Sequence, residues 1–440
     1  MSTLKVNKLR DTAGSADAIT LDPNGGAVLA GVTTMTTARV TSGIVTNTFI
    51  VGAGVTISES GIEASGIGIT CANINGTQIG GRRNIIVNGD MRIAQRGTST
   101  TTSGGYATDR LNVFHGGTDE APTFAQADVS SGTTPYTLGF RKCLKVTNGN
   151  QTSDAGAADY VWLQYKIEAQ DIANSGWNYT STSSFITLSF WVKSSVAQDF
   201  KGFIQTSDGT AQSYPFATGS LTADTWTKVT KTIPGNSNLQ FDNDVNTGLN
   251  VQFLPFFGTD YTASSATEDA WQAYSSSARC KDSTVTWYET DNATWEITGI
   301  QLEVGSQATA FEHRSFGEEL SLCQRYFCKS YDIGTAPATA TFVGAIHGRN
   351  YDGTGRSANP VFVYFVSRMR AQPTMTFYAG DGQSNKFSTG STVGGTDLTT
   401  ESTFGTSFIN SESGIFHCDL AASVPALNLF AFQYTADAEL

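Results

Sequence analysis

The sequence predicts an all-β protein. Hydrophobic residues make up 39% of the 440 residues and charged residues only 15%, while glycine occurs 45 times. This composition is typical of short strands joined by tight turns. Residues 161–167 and 186–192 also alternate between apolar and polar side chains. Because side chains of a strand point alternately to its two faces, this period predicts antiparallel strands with one buried face.

Charge and hydropathy limit the classes of partner. The net charge is -12, so nucleic acid and anionic membrane surfaces would repel the chain, and neither is an expected partner. No run of 18 apolar residues occurs, and residues 1–10 lack the apolar core of a secretion signal. We therefore expect that the chain does not insert into a membrane. We also expect that it is synthesised in a cytoplasm.

The sequence gives little sign of a metal site or cofactor. Residues 242–246 begin like a calcium loop, but Thr247 replaces the glycine of its sixth position and Phe253 the glutamate of its twelfth. No cofactor is expected. The six cysteines are scattered and are expected to be buried small apolar residues. They are Cys71, Cys143, Cys280, Cys323, Cys328 and Cys418.

The first 81 residues divide into two predicted segments. Residues 1–26 contain a short alternating strand and a strong turn signal at 22–26, and could form a docking anchor. Residues 27–81 are nearly uncharged and repeat short Val, Ile and Thr runs separated by glycine. Such runs bury too little apolar surface within one chain, so we expect several copies to associate in an oligomeric β shaft. The alternative is a flexible linker.

Residues 82–328 are predicted to form a jelly-roll β-sandwich of eight or nine strands. On residues 295–304 the apolar positions change from odd to even at Gly299, which predicts a bulge there. Further strands are expected at 85–93, with a turn at 88–90, and at 143–146, 226–233, 251–256 and 285–288.

One short helix is predicted near 316–325. Ser315 and Glu318 form a capping-box pattern, and apolar residues follow at helical spacing. Beyond it, residues 329–440 predict a smaller β-sandwich, with strands at 340–346, 361–366, 374–378, 407–409, 414–418 and 427–434. Its long glycine-rich loops, 347–359 and 379–396, are typical places for recognition.

Several segments resemble a known family when their order and spacing are taken together. They are residues 83–98 (Arg-Asn-Ile-Ile-Val-Asn-Gly-Asp-Met-Arg-Ile-Ala-Gln-Arg-Gly-Thr), 107–110, 187–194, 299–305, 311–315, 317–326, 369–374 and 435–440. These resemble the carbohydrate-binding-module-like domain of bacteriophage tail fibres. Residues 2–11 resemble the start of fibre proteins from phages of marine bacteria and cyanobacteria. The resemblance implies a homotrimeric virion fibre whose residues 1–26 attach to a phage tail or baseplate protein and whose distal domains meet a host surface glycan.

Two groups of residues are candidates for glycan binding. Trp162 and Trp191 are predicted on the faces opposite the apolar stripes of their strands, where an aromatic ring could stack on a sugar. The alternative for both is a core or subunit interface. Four polar residues on the 347–359 loop could bind an acidic saccharide, or could simply be solvated. They are His347, Arg349, Tyr351 and Arg356.

Enzyme activity is the rival class. Polysaccharide cleavage needs two positioned carboxylates, and the sequence offers Glu296, Glu303, Glu312, Glu318 and Glu319 without singling out an acid and a base. Binding without cleavage is therefore the favoured function. A capsid-attached fibre, a spacer without a receptor site and a depolymerase tailspike remain as alternatives.

Overall fold

The fold is described from a computed structural model. The structure describes residues 83–349, 361–390, 399–401, 404–407, 409–418 and 429–440, together with eight short strands before residue 80. The chain forms two compact units, residues 1–71 and residues 72–440. Apart from these strands, the predicted anchor and shaft lie outside the described residues.

The eight short strands pair in antiparallel fashion. Two three-stranded sheets, β1-β2-β3 and β4-β5-β6, lie in the first unit, and a β7-β8 hairpin lies in the second. The strands are β1 (Lys8–Arg10), β2 (Asp17–Leu21), β3 (Ala27–Leu29), β4 (Thr48–Ile50), β5 (Val55–Ser58), β6 (Gly61–Ala64), β7 (Asn73–Ile74) and β8 (Thr77–Gln78).

Thirteen strands of the second unit form a two-sheet antiparallel sandwich, which confirms the all-β prediction. They are β9 (Ser99–Thr100), β10 (Gly105–Thr108), β11 (Leu111–Gly116), β12 (Thr123–Asp128), β13 (Lys142–Thr147), β14 (Tyr160–Glu168), β15 (Phe185–Ser194), β16 (Asp199–Thr206), β17 (Gln212–Ser220), β18 (Thr227–Pro234), β19 (Thr247–Phe257), β20 (Gln272–Ala273) and β21 (Thr294–Val304). One sheet has the order β10-β11-β14-β19-β16-β17-β20, and the other β18-β15-β21-β13-β12-β9.

The core lies between these two sheets. The apolar residues of 161–167 and 186–192 are buried in it, as the alternation predicts. Trp295 and Ile297 before Gly299, and Ile300 and Leu302 after it, face the same core. Gly299 and Ile300 lie opposite the single residue Phe190, so the predicted bulge is confirmed.

Three short helices occur in the described part of the chain: α1 (Thr134–Thr137), α2 (Ala169–Ala173) and α3 (Phe316–Gln324). The helix α3 is the predicted one, and its capping box is present. The helices α1 and α2 were not predicted, because four or five residues carry too little periodicity to be recognised. None of the described helices has the length and apolar character needed to cross a membrane.

The remaining strands form a C-terminal β region with its own apolar cluster. They are β22 (Phe327–Lys329), β23 (Ile346–Arg349), β24 (Val361–Tyr364), β25 (Thr374–Tyr378), β26 (Phe387–Gly390), β27 (Thr399–Glu401), β28 (Phe404–Ser407), β29 (Ser413–Cys418) and β30 (Leu429–Asp437). The strand β30 is central and pairs with β22, β23, β25 and β26, while β24, β29 and β28 form a separate sheet.

Three predicted strands are wrong in the structure. Residues 285–288 form a turn and not a strand. Trp287 and Tyr288 are buried in the core, but they do not belong to a sheet. Residues 85–93 are irregular around the 88–90 turn, where Asn88 has φ of 60°. Of residues 340–346, only Ile346 is in a strand.

Cys143, Cys280, Cys323 and Cys328 are free and buried, as expected. Within the part of the chain that the structure describes, no group of three or more metal-ligating side chains comes together. The calcium-like residues 242–246 instead make local hydrogen bonds, such as Asn246 Nδ2 to Asp244 Oδ2 at 2.5 Å.

Candidate functional site

The outer face of the seven-stranded sheet carries a cluster of side-chain amides. In β11, β14 and β19, Asn112, Gln164 and Gln252 lie opposite one another in a row across the sheet. In the next row, Asn250 of β19 lies opposite Gln205 of β16. We call these five residues the amide face. The inward neighbours of these residues are core side chains, so strand alternation fixes the amides on the outside.

Hydrogen bonds connect the amides to one another and to hydroxyls. Gln164 Nε2 donates to Asn250 Oδ1 at 3.2 Å, and Asn250 Nδ2 donates to Ser207 Oγ at 2.9 Å. Gln252 Nε2 donates to Gln205 Oε1 at 3.3 Å. Asn250 and Gln252 are only 5% and 2% exposed. The network therefore holds a fixed pattern of donors and acceptors.

Two polar atoms on this face are buried and have no hydrogen-bond partner among the described residues. They are Asn112 Oδ1 and Ser213 Oγ, and Ser213 lies opposite Gln205 on β17. Buried polar groups normally have a partner, so these two atoms are exceptions in the hydrogen bonding of this face.

An aromatic platform borders the amides. Trp162 and Phe114 are cross-strand neighbours whose rings stack at 4.6 Å with an angle of 19° between their planes. Trp162 also meets Phe257 edge to face at 6.0 Å. The ring of Trp162 is half-buried at the rim of a small aromatic cluster that covers this end of the sheet. The prediction that Trp162 lies on the face opposite the apolar stripe of its strand is confirmed, and its ring packs against this cluster.

The opposite end of the face is bounded by the last residues of the chain. Lys166, next to Gln164 on the outer side of β14, donates from Nζ to the backbone carbonyl of Leu440 at 2.8 Å. Lys166 lies opposite Asn250 and brings one ionised group into the second row, whose other two members are amides. This set of groups can bind a neutral polyhydroxyl molecule through hydrogen bonds and ring stacking.

Trp191 lies on the outer face of the other sheet, so the structure does not bring the two tryptophans together. It lines a groove of about 310 Å³ with Phe140, Phe311 and His313. Phe140 and Phe311 meet edge to face at 4.9 Å, and His313 Nε2 lies 2.9 Å from the carbonyl oxygen of Leu138. The lining of this groove is apolar except for Ser189, Lys228, Thr309 and His313, and it differs from the amide face.

The candidates near residue 347 are placed differently from the prediction. His347 and Arg349 are exposed on the strand β23, paired with β30, and not on a loop. These residues form a strand because they pair with β30, although the glycine content of the segment predicts a loop. Tyr351 and Arg356 lie outside the described residues.

The five glutamates considered for catalysis all have partners that belong to the fold. Glu303 accepts from Thr309, Glu312 and Glu319 pair with Arg314, Glu318 caps α3, and Glu296 pairs with Lys193 at 3.0 Å. Asp90 is another carboxyl group of this region. Burial has the largest effect on its pKa and raises it, although Arg92 lies beside it.

Sequence reasoning missed most of the amide face. Residues 249–253, Leu-Asn-Val-Gln-Phe, do indicate part of it, because two amide residues alternate there with apolar ones. The rows themselves could not be read from the sequence, because they require the register of β11, β14, β19 and β16, which are distant along the chain.

No protein-family model matches the chain, and no curated protein matches it in sequence. Several solved structures are similar. The enzymatically active domain of tailspike protein 4 from bacteriophage CBA120 matches with 10% identity and a TM-score of 0.27, over 50% of this chain and 21% of that one. The N-terminal cellulose-binding domain of Cellulomonas fimi β-1,4-glucanase C matches with 13% identity and a TM-score of 0.24, over 49% and 99%. A tandem carbohydrate-binding-module domain from Paenibacillus barcinonensis matches with 8% identity and a TM-score of 0.25, over 84% and 98%.

Proposed function

We propose that this protein is a virion fibre that attaches a bacteriophage to its bacterial host by binding cell-surface polysaccharide without cleaving it. The observation that carries the proposal is the amide face with its stacked Trp162 and Phe114. The resemblance of residues 83–98, 311–315 and 317–326 to phage tail fibres supports the biological setting.

Sugar hydroxyl groups match the polar groups of this face. Five amides supply donors and acceptors at fixed positions, and an aromatic ring offers an apolar surface beside them. A polysaccharide presents the matching groups, hydroxyls around its rings and apolar C–H faces. Because rows of amides run across several strands, the face suits a chain of sugars.

The proposed assembly is a homotrimer in the tail fibre of the virion. Residues 27–81 would form its shaft, and residues 1–26 would bind the phage tail or baseplate. Several weak glycan contacts per particle would then give strong adhesion, because once one site is bound the others act at high effective concentration.

A polysaccharide array tests this function. Purified bacterial capsular polysaccharides and lipopolysaccharide O-chains would be printed and probed with labelled wild-type protein, Trp162→Ala and Gln164→Ala. We expect the wild type to bind, and loss of the Trp162 ring to weaken binding about tenfold, since an aromatic contact contributes about 1–1.5 kcal/mol. Tyr364→Ala, at a residue that is 77% exposed on β24, is the matched control.

Each other outcome favours a different function. Release of reducing ends from a printed polysaccharide would favour the depolymerase tailspike. No binding to any polysaccharide would contradict the proposal and favour a spacer or a capsid-attached fibre without a receptor site. Gln164→Ala removes a half-buried amide and leaves the aromatic cluster intact, so it tests the face even if Trp162→Ala is poorly folded.

A further inference from the structure

A second groove lies between the sandwich and the C-terminal region. It has a volume of about 570 Å³. Its floor is the outer face of β25 and β30, where Thr376 and Thr435 lie opposite each other and Thr374 lies opposite Asp437. Tyr378, Phe327 and Pro337 complete the lining with Arg96 and Glu439. The groove thus combines hydroxyls, carboxylates, one guanidinium and aromatic rings.

Arg96 forms the wall on the sandwich side and is held rigidly. Its guanidinium carbon lies 4.2 Å from the centre of the Tyr106 ring and 3.8 Å from that of Phe327. Its Nη2 donates to Asp437 Oδ2 at 3.2 Å and to Glu439 Oε1 at 3.4 Å. The guanidinium therefore lies among carboxylates and aromatic rings, and the polar groups of the groove are fixed in place.

Tyr106 connects this groove to the amide face. It lies opposite Asn112 on the neighbouring strand, and its hydroxyl accepts a hydrogen bond from Asn112 Nδ2 at 3.0 Å. Asn112 in turn begins the row that continues through Gln164 to Gln252. From the end of that row, Tyr106 contacts the same Arg96 that lines the groove. The two surfaces therefore meet at the Tyr106–Arg96 contact.

We propose that the groove is a second glycan subsite, which holds sugar units that follow those bound on the amide face. Carboxylates accept hydrogen bonds from sugar hydroxyls, threonine hydroxyls both donate and accept them, and Tyr378 offers a ring for stacking. The C-terminal region would then take part in recognition together with the sandwich. This inference rests on the proposed glycan binding. It adds that the protein recognises a saccharide long enough to reach from the amide face to the groove.

The test measures how affinity depends on saccharide length. A polysaccharide that binds the wild type on the array would be partially hydrolysed and separated into oligosaccharides of increasing length. Their affinities would be measured by calorimetry for the wild type, Tyr378→Ala, Tyr378→Phe and Thr376→Val. Wild-type affinity should rise when the oligosaccharide becomes long enough to reach the groove. Tyr378→Ala should bind these long oligosaccharides with about tenfold lower affinity, and it should bind the short ones as the wild type does.

The outcomes separate the two proposals. If the Tyr378 and Thr376 variants bind every length as the wild type does, the subsite is wrong and the amide face still stands. If no polysaccharide binds the wild type, both proposals fail. Tyr378→Phe and Thr376→Val remove only hydroxyl groups, so they carry the test if Tyr378→Ala does not fold. Tyr364→Ala should behave as the wild type at all lengths.

Discussion

Gly299 shows how a single residue shapes one side of the sandwich. Its φ is 63°, and a Cβ at this position would lie 2.7 Å from Phe140 Cζ and 3.2 Å from Trp191 Cδ1. Glycine is therefore required both by the backbone conformation and by the two rings above it. The bulge at Gly299 lets β21 keep its apolar residues in the core on both sides of that position.

Gly299→Ala should lower the free energy of unfolding by about 1–3 kcal/mol, since it combines backbone strain with a clash. Gly317→Ala in α3 is the matched control, because a Cβ there meets no atom within 4 Å and alanine favours a helix. Urea unfolding of both variants would measure the difference. Equal stability of the two variants would show that the bulge has no steric requirement.

The residues that carry the family resemblance mostly hold the fold together. Asn84 donates from Nδ2 to the carbonyl of Ile300, and its Oδ1 accepts from the backbone nitrogen of Leu302 at 3.0 Å. Asn88 Nδ2 donates to the carbonyls of Ile93 and Asp109. Their buried amides are satisfied by backbone groups, so these two residues stabilise the fold and do not line the amide face.

At the scale of elements, the helix α3 depends on its first turn. Ser315 Oγ accepts from the Glu318 backbone nitrogen at 3.3 Å, and Glu318 Oε2 accepts from the Ser315 backbone nitrogen at 2.8 Å. Hydrogen bonds that the Glu318 carboxylate accepts from Ser315, from its side chain first and then from its backbone nitrogen, lower the pKa of Glu318. The contribution of the ionised carboxylate is therefore present above the pKa of the unfolded chain and is lost as the pH falls through the lower folded pKa.

Ser315→Ala should destabilise the protein by about 1 kcal/mol at pH 7, and Ser315→Thr, which keeps the hydroxyl acceptor, should not. The difference between wild type and Ser315→Ala should shrink when urea unfolding is repeated at pH 3. A loss of stability that is the same at both pH values would contradict the role of the ionised Glu318 in the cap.

Elements with strong periodicity could be predicted from the sequence, and elements set by distant contacts could not. The faces of β14 and β15 follow from strict alternation, and α3 follows from its cap. Residues 285–288 have the β-branched and aromatic composition of a strand, yet their aromatic side chains fill the core from a turn. The site could be predicted only as far as Trp162, since its amides converge through strand pairing.

At the scale of the whole second unit, charged residues hold the last residues of the chain against the sandwich. Arg110, with a side chain 2% exposed, forms an ion pair with Glu439 and also lies over the Tyr326 ring at 3.4 Å. Arg325 donates twice to the buried carboxylate of Glu168, at 2.8 and 2.7 Å. Although burial alone would raise the pKa of Glu168, hydrogen bonds from Arg325 and Tyr326 lower it overall.

Glu439→Ala should therefore destabilise this junction by about 3 kcal/mol, because it leaves the buried Arg110 without its carboxylate. Glu412→Ala is the matched control, since its partner Arg368 is exposed and such pairs contribute less than about 1 kcal/mol. Urea unfolding and limited proteolysis would compare the variants. Similar losses in both would show that the junction does not depend on the Glu439 charge.

The central claim is that the amide face binds a polysaccharide, and side-chain NMR tests it most directly. An oligosaccharide from a polysaccharide that binds on the array would be titrated into deuterated, ¹⁵N-labelled protein while the side-chain NH₂ signals are followed. The signals of Asn112, Gln164, Gln205, Asn250 and Gln252 should shift together with saturation. Binding that leaves these five signals unmoved and shifts others would contradict the account.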